Sequence, residues 1–231
     1  AGPPSTTYTG TNGSGGSGGP GGGAADPREA DGYEYEHARG GMSKHAYEDD
    51  PKRLCFHLAR YKHTAKLLEG FDRVLEVGCA DGFGTRIVRQ HVGHLTAIDP
   101  DRRSIDEARA GASPAWPIEF VCADIRDAAP GFFPLADDLP GWVGYDAVYA
   151  LDVLEHIGRD EGFLHAMRDA APVAVIGTPS RESQEHASHL SKLGHVNMYS
   201  GTDLRHRLLE HWDQVFVLTM HDEVLGTSYY P

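Results

Sequence analysis

The chain is poor in cysteine, in positive charge and in long apolar runs, and each shortage removes a class of protein. Its three cysteines, Cys55, Cys79 and Cys122, are odd in number and far apart, with no C-x-x-C pair. That excludes a disulfide framework or a zinc knuckle and fits a reducing cytoplasm. Lys and Arg number 21 against 34 Asp and Glu, a formal charge of −13. Phosphate backbones and anionic lipid surfaces repel such a chain, so neither nucleic acid nor membrane is the expected partner. No segment approaches the roughly 18 consecutive apolar residues of a membrane span, and the amino-terminal stretch lacks the charged and apolar regions of a signal peptide. At 231 residues the chain accommodates one sizeable α/β domain and a tail.

The tail is residues 1–32, dominated by Gly, Ser, Pro and Thr around GSGGSGGPGGG. Its composition cannot bury enough apolar surface to offset ordering entropy, so it is expected to be disordered and to serve as a linker to another domain. The chain opens on alanine rather than methionine, which fits a fragment or a processed product. Residues 33–231 form the expected folded domain, with 33–70 as an amino-terminal arm and helix. Asp50-Pro51 supplies an N-cap and a first-turn proline, and Leu54, Leu58, Tyr61, Ala65 and Leu68 recur at helical spacing.

The centre of the chain is VLEVGCADGFGT, Val74–Thr85. Val74, Leu75 and Val77 read as a strand buried on both faces. Gly78, Gly82 and Gly84 then permit a tight turn and close approach to a ligand, and a helix follows over Thr85–His91 with its amino end toward the crevice. Glu76, near the strand's carboxyl end, is expected to meet cationic or hydroxylic groups of the ligand. The dinucleotide fingerprint G-x-G-x-x-G fails in both registers: counting from Gly78 meets Ala80 and Phe83, and counting from Gly82 meets Ile87.

Further strands are predicted at Leu95–Ile98, Phe120–Ala123, Tyr145–Ala150, Val173–Ile176 and Val215–Met220, with helices over Asp101–Ala110 and Thr202–His211. Two of these strands also end in acids. Asp99 lies about 20 residues past the loop, where a carboxylate accepts both hydroxyls of a ribose, and Asp124 closes the third strand. Phe132–Trp142 reads as a loop.

The glycine loop resembles the E/D-x-G-x-G-x-G motif of class I S-adenosylmethionine (SAM) methyltransferases, matched by Glu76, Gly78 and Gly82 with Ala80 at the middle glycine. DVLEH, Asp152–His156, resembles the segment after the fourth strand in many small-molecule members. The likeness to bacterial sugar or secondary-metabolite methyltransferases extends from Met42 to the carboxyl terminus and includes MSKHAYEDDPKR, GHVNMYS and MHDEVLG.

The resemblance implies a Rossmann-like, open, mostly parallel α/β sheet with helices on both faces. It implies SAM as cofactor, held by Glu76, Gly78, Cys79, Ala80, Asp81, Gly82, Asp99, Pro100, Asp124, Ile125 and Leu151, with Asp124 receiving the adenine amino group. The three acidic strand tips are expected to converge on one nucleoside. Met42, His45 and Tyr47 would belong to a segment folding over the cofactor. The class also has a seventh, antiparallel strand between the fifth and sixth; Val224–Tyr230 is a short substitute, or that strand is absent.

The expected activity is methyl transfer to a hydroxyl, amine or carbon of a small-molecule acceptor, with a homodimer left open. A catalytically silent SAM-binding subunit that supports a partner enzyme is the alternative. A hydroxyl acceptor must lose a proton, and His195 and His156 are the candidate bases, with His186 and His189 behind them. Asn197, Met198 and Tyr199 would help His195 to orient the acceptor. No metal is expected: neither His186-x-x-His189 nor the Asp152, Glu155 and His156 group has the H-E-x-x-H spacing. The N/D-P-P-Y/F element of DNA amino-methylation is replaced by Ala150-Leu151-Asp152-Val153.

Overall fold

The structure, a computed structural model, describes residues 47–48, 51–127, 144–186, 192, 194–222 and 226–228. The expected tail, Met42, His45, His189 and the Phe132–Trp142 loop lie outside the described residues. The first helix is α1, Pro51–Leu67, followed by β1, Arg73–Val77, and the short α2, Thr85–Arg89. Then come β2, His94–Asp99; α3, Arg102–Ala110; β3, Glu119–Cys122; β4, Ala147–Leu151; α4, Glu161–Ala170; β5, Val173–Gly177; and α5, Gly201–Leu208. Two short strands close the chain, β6, Thr219–Asp222, and β7, Gly226–Ser228.

β1 to β5 form one sheet in the order β3-β2-β1-β4-β5, and every pairing in it is parallel. The order reverses between β1 and β4, and in such sheets the crevice outside the carboxyl ends of those two strands is where ligands bind. The apolar strands follow from this architecture, because a parallel sheet covered on both faces needs apolar side chains pointing both ways.

Alternation along each strand sorts the side chains into two cores. Val74, Leu95, Ala147, Tyr149 and Leu151 face α1, where they meet Tyr61, Ala65 and Leu68. Leu75, Val77, Ile98, Val148 and Ala150 face the other way, onto Phe163, Leu164 and Met167 of α4. The expected spacing of Tyr61, Ala65 and Leu68 is what presents one stripe of α1 and the turn after it to the sheet, and all three are buried. α3 begins at Asp101, whose carboxylate accepts from the Arg103 and Ser104 backbone N–H groups.

The end of the chain departs from expectation. Residues 215–218 are irregular rather than a sixth strand, and the strand begins at Thr219. It pairs antiparallel with β7 and not with the main sheet. Val215 is packed against the α4-side core, so the chain there is held by a side chain and not by a ladder. Part of Val224–Tyr230 does form a strand, but as half of this separate hairpin.

Candidate functional site

The glycine loop is shaped more by the protein around it than by space for a ligand. Gly78 and Gly82 have φ of 80° and 69°, which glycine adopts without strain. A Cβ on Gly78 would stand 2.3 Å from Val153 Cγ2, one on Gly82 2.8 Å from the Phe120 ring, and one on Gly84 2.3 Å from the Tyr61 ring. The missing side chains therefore let the loop seat against β3, α1 and the turn after β4. Ala80 takes φ of 47°, a left-handed conformation that strains any residue with a Cβ. It is held there because its N–H donates to Asp99 Oδ2 at 3.0 Å.

Asp99 ends β2, as the sequence places it. It is half-buried at the carboxyl end of β2, and its Oδ1 accepts from the Asp101 N–H at 2.9 Å. Each oxygen keeps a further lone pair, so the carboxylate still accepts a vicinal diol. Beside it stand the partly exposed Ala80, bonded to it, and the exposed Pro100, which follows it in the chain. α2 has only five residues, so the partial charge at its amino end contributes less than expected.

The other acids do not share an open hollow with Asp99. Glu76 has the same parity as Val74, so it points toward α1; it is 1% exposed, and its Oε1 accepts from the Tyr61 hydroxyl at 2.8 Å. The hydroxylic group it meets belongs to the chain itself. Burial raises its carboxyl above the ordinary value, while the hydroxyls of Thr85, Tyr61 and Tyr149 act the other way. Asp124 is paired with Arg126, whose Nε donates to Oδ1 at 2.9 Å and Nη2 to Oδ2 at 2.5 Å. That guanidinium holds Asp124 below the usual carboxylate range. An adenine amino group would have to share an already engaged carboxylate.

Among the other expected cofactor residues, Asp81 closes the turn by accepting from the Phe83 N–H at 3.2 Å. Cys79 is buried among α3 and β3 side chains, and burial pushes its thiol well up. Ile125 lies in the α4-side core, and Leu151 is buried against the Gly177 backbone. Packing is the observed role of these last three.

Beyond β4 the chain makes a second polar centre. Asp152, at φ of 57°, is ion-paired with Arg60 of α1, with His57 at 3.5 Å. A single 3-10 turn, Leu154–His156, then buries Glu155, whose Oε2 accepts from Thr178 Oγ1 at 3.0 Å. Burial, with the Asp152 charge adding to it, pushes the Glu155 carboxyl up to about 7. The backbone carbonyl of Glu155 accepts from the Val196 and Asn197 N–H groups at 2.8 and 3.0 Å, which brings the distant His195 alongside. His156 and His195 stack edge-on with ring centres 5.1 Å apart.

The two expected histidines are thus brought together, and Glu155, grouped in the sequence with Asp152 and His156, stands with them. Asn197 and Tyr199 are engaged within the chain. The Asn197 amide donates to the Ile157 carbonyl, and the Tyr199 hydroxyl to Asp160. His186 closes a short 3-10 turn, Glu182–His186.

With this geometry in place, comparison with known proteins decides the family. The sequence profile of a methyltransferase domain matches residues 45–211, more than half of the chain. The chain belongs to the class I SAM-dependent methyltransferases. No curated protein matches it.

Among solved structures it is similar to a Haloferax volcanii methyltransferase in complex with its activator Trm112, at 17% identity and TM-score 0.54, over 81% of this chain and 77% of that one. It is also similar to magnesium protoporphyrin IX methyltransferase of Synechocystis PCC 6803 with bound S-adenosylhomocysteine, at 17% identity and TM-score 0.53, over 73% and 77%. A third is the N-methyltransferase NodS of Bradyrhizobium japonicum WM9 with S-adenosylhomocysteine, at 19% identity and TM-score 0.51, over 81% and 85%. At these identities the likeness concerns the fold.

SAM is accordingly the methyltransferase's cofactor, and the half-exposed Asp99 carboxylate beside the Gly78–Ala80 turn fits its nucleoside. When bound, SAM supplies a methyl group already activated on a sulfonium. Among the described residues no helix is long and apolar enough to cross a membrane.

Proposed function

We propose that the methyltransferase acts on a hydroxyl group of a small-molecule acceptor, with Asp99 and the Gly78–Ala80 turn holding the cofactor's nucleoside and His156 and His195 on the acceptor side. The observation that carries this reading is the imidazole pair at the carboxyl edge of the sheet. His156 Nδ1 lies 2.9 Å from the Gly194 carbonyl oxygen, and His195 Nδ1 lies 3.0 Å from Gln184 Oε1. Both acceptors call for a protonated Nδ1, which leaves each Nε2 as the basic nitrogen. A hydroxyl is a weak nucleophile until its proton is taken, and an imidazole has the fitting affinity for it near neutral pH. The chain's net charge of −13 favours a neutral acceptor over an anionic one.

The test is methyl transfer from labelled SAM across a panel of hydroxylated small molecules and matched amines, beside calorimetric titration with SAM. Asp99→Asn is expected to weaken SAM binding. His195→Ala should leave SAM affinity unchanged and slow transfer to the hydroxyl. An unaltered rate removes His195 from the chemistry, and binding without turnover on any acceptor favours the silent subunit.

A further inference from the structure

We infer that Glu155, His156 and His195 form a binding site for a divalent first-row transition cation, beside the acceptor position. This deepens the proposed function: it keeps the placing of the acceptor, on which it rests, but gives the two Nε2 atoms to the ion, so that the hydroxyl is acidified by the cation instead of deprotonated by an imidazole. One ligand atom from each residue can be chosen so that all three lie within 4.8 Å of one another. Ligand atoms around a tetrahedral first-row cation, at bonds of about 2.1 Å, stand about 3.4 Å apart. The group therefore has to close by roughly an ångström, and the His156 ring, whose side chain is 48% exposed, has room to turn toward the other two ligands.

Three features fit a cation rather than an ordinary hydrogen-bonded cluster. Both Nδ1–H groups are given to carbonyl-type oxygens, Gly194 O for His156 and Gln184 Oε1 for His195, which fixes the tautomer that offers Nε2 as a ligand. His156 Nε2 then lies 4.0 Å from Glu155 Oε1, too far for a direct hydrogen bond and wide enough to take an ion between them. Glu155 Oε2 receives Thr178 Oγ1, the kind of outer partner that orients a ligating carboxylate.

The other acid and histidine grouping, Glu161, Glu210 and His211, differs on this point. Arg207 is already ion-paired with both of its carboxylates.

Two imidazoles and one carboxylate suit zinc, iron or manganese, and three protein ligands leave coordination positions open for an acceptor oxygen. A hydroxyl bound there gives up its proton more readily, the proton leaving to solvent.

The experiment titrates the full chain, stripped with a chelator, with Co2+ and then Zn2+. It records the visible Co2+ bands, the metal retained after gel filtration and, separately, SAM affinity without metal. About one cation per chain is expected, with bands of nitrogen and oxygen ligation. Glu155→Gln and His195→Gln should abolish retention, and Gln184→Ala, which frees only the outer partner of His195, should weaken it by roughly tenfold. SAM affinity should be unchanged in all three.

No stoichiometric cation, or equal retention in wild type and His195→Gln, overturns the site while leaving the methyl-transfer reading intact. A retained cation with no transfer to any hydroxyl acceptor supports the site and overturns that reading. Glu155→Gln is judged only where circular dichroism shows a native fold.

Discussion

The two halves of the sheet's carboxyl edge are built on different principles. On the β1–β2 side, which holds the glycine loop, geometry is set by the backbone: glycines with no room for a Cβ, a strained Ala80, and an Asp99 whose oxygens both receive main-chain N–H groups. On the β4–β5 side, geometry is set by side chains that join segments far apart in sequence. Arg207 of α5 binds Asp160 at the start of α4 at 2.8 Å, and Tyr199 donates to the same carboxylate. Burial acts to raise Asp160, but Arg207 and Tyr199 outweigh it and hold it below the usual range. The glycine-loop side is therefore fixed by close backbone packing, and the β4–β5 side by pairs that substitution can rearrange.

The largest expected effect breaks the first half. Gly78→Ala combines a left-handed φ with a Cβ 2.3 Å from Val153, and should destabilise the fold by about 3 kcal/mol or more in urea unfolding. Arg207→Met probes the second half. It leaves the Asp160 carboxylate without its cation and should cost about 2 kcal/mol, with the loss shrinking in molar salt. If Gly78→Ala were instead the salt-sensitive variant, the contrast between the halves would be gone.

Tyr61→Phe should cost about 1–2 kcal/mol, since it removes the donor to the buried Glu76. Glu76 also sets a pH test. Its carboxyl is raised in the folded state, so the fold holds more protons than the unfolded chain above the ordinary value of 4.5. Its contribution to stability therefore falls as pH rises from there toward the folded value, and Glu76→Gln should flatten that slope. The smallest effect sharpens the comparison in the other direction. Ala80→Gly should stabilise by about 1 kcal/mol, measured as a raised denaturation midpoint, by releasing the strain at φ of 47°.

The same division governs what could be read from the sequence. The five strands of the main sheet and the glycine turn were legible because each depends on local turn composition or on the fixed repeat of strand and helix. Glu76 was misjudged although the needed signal was present: it lies two residues from Val74, so it shares the face that α1 covers. The strain at Ala80 gave no sign in the motif, because spacing carries no φ.

His156 and His195 were each found singly. Their meeting depends on the Glu155 carbonyl receiving residues 196 and 197, a contact across some forty positions with no local pattern. The spacing rule that argued against a metal was a rule for one helix, and it does not reach ligands from separate loops. The end of the chain failed for a related reason: Val215–Met220 is apolar enough for a strand, yet apolarity does not say which neighbour a strand will take.

The Tyr61 ring lies over Gly84 while its hydroxyl closes off Glu76, so one side chain from ahead of the sheet completes both the turn and the interior beneath it. The minimal folding unit of this methyltransferase therefore begins no later than α1. A version trimmed to start at Arg73 would retain every strand of the sheet but leave an acid open to water in the middle of an apolar face.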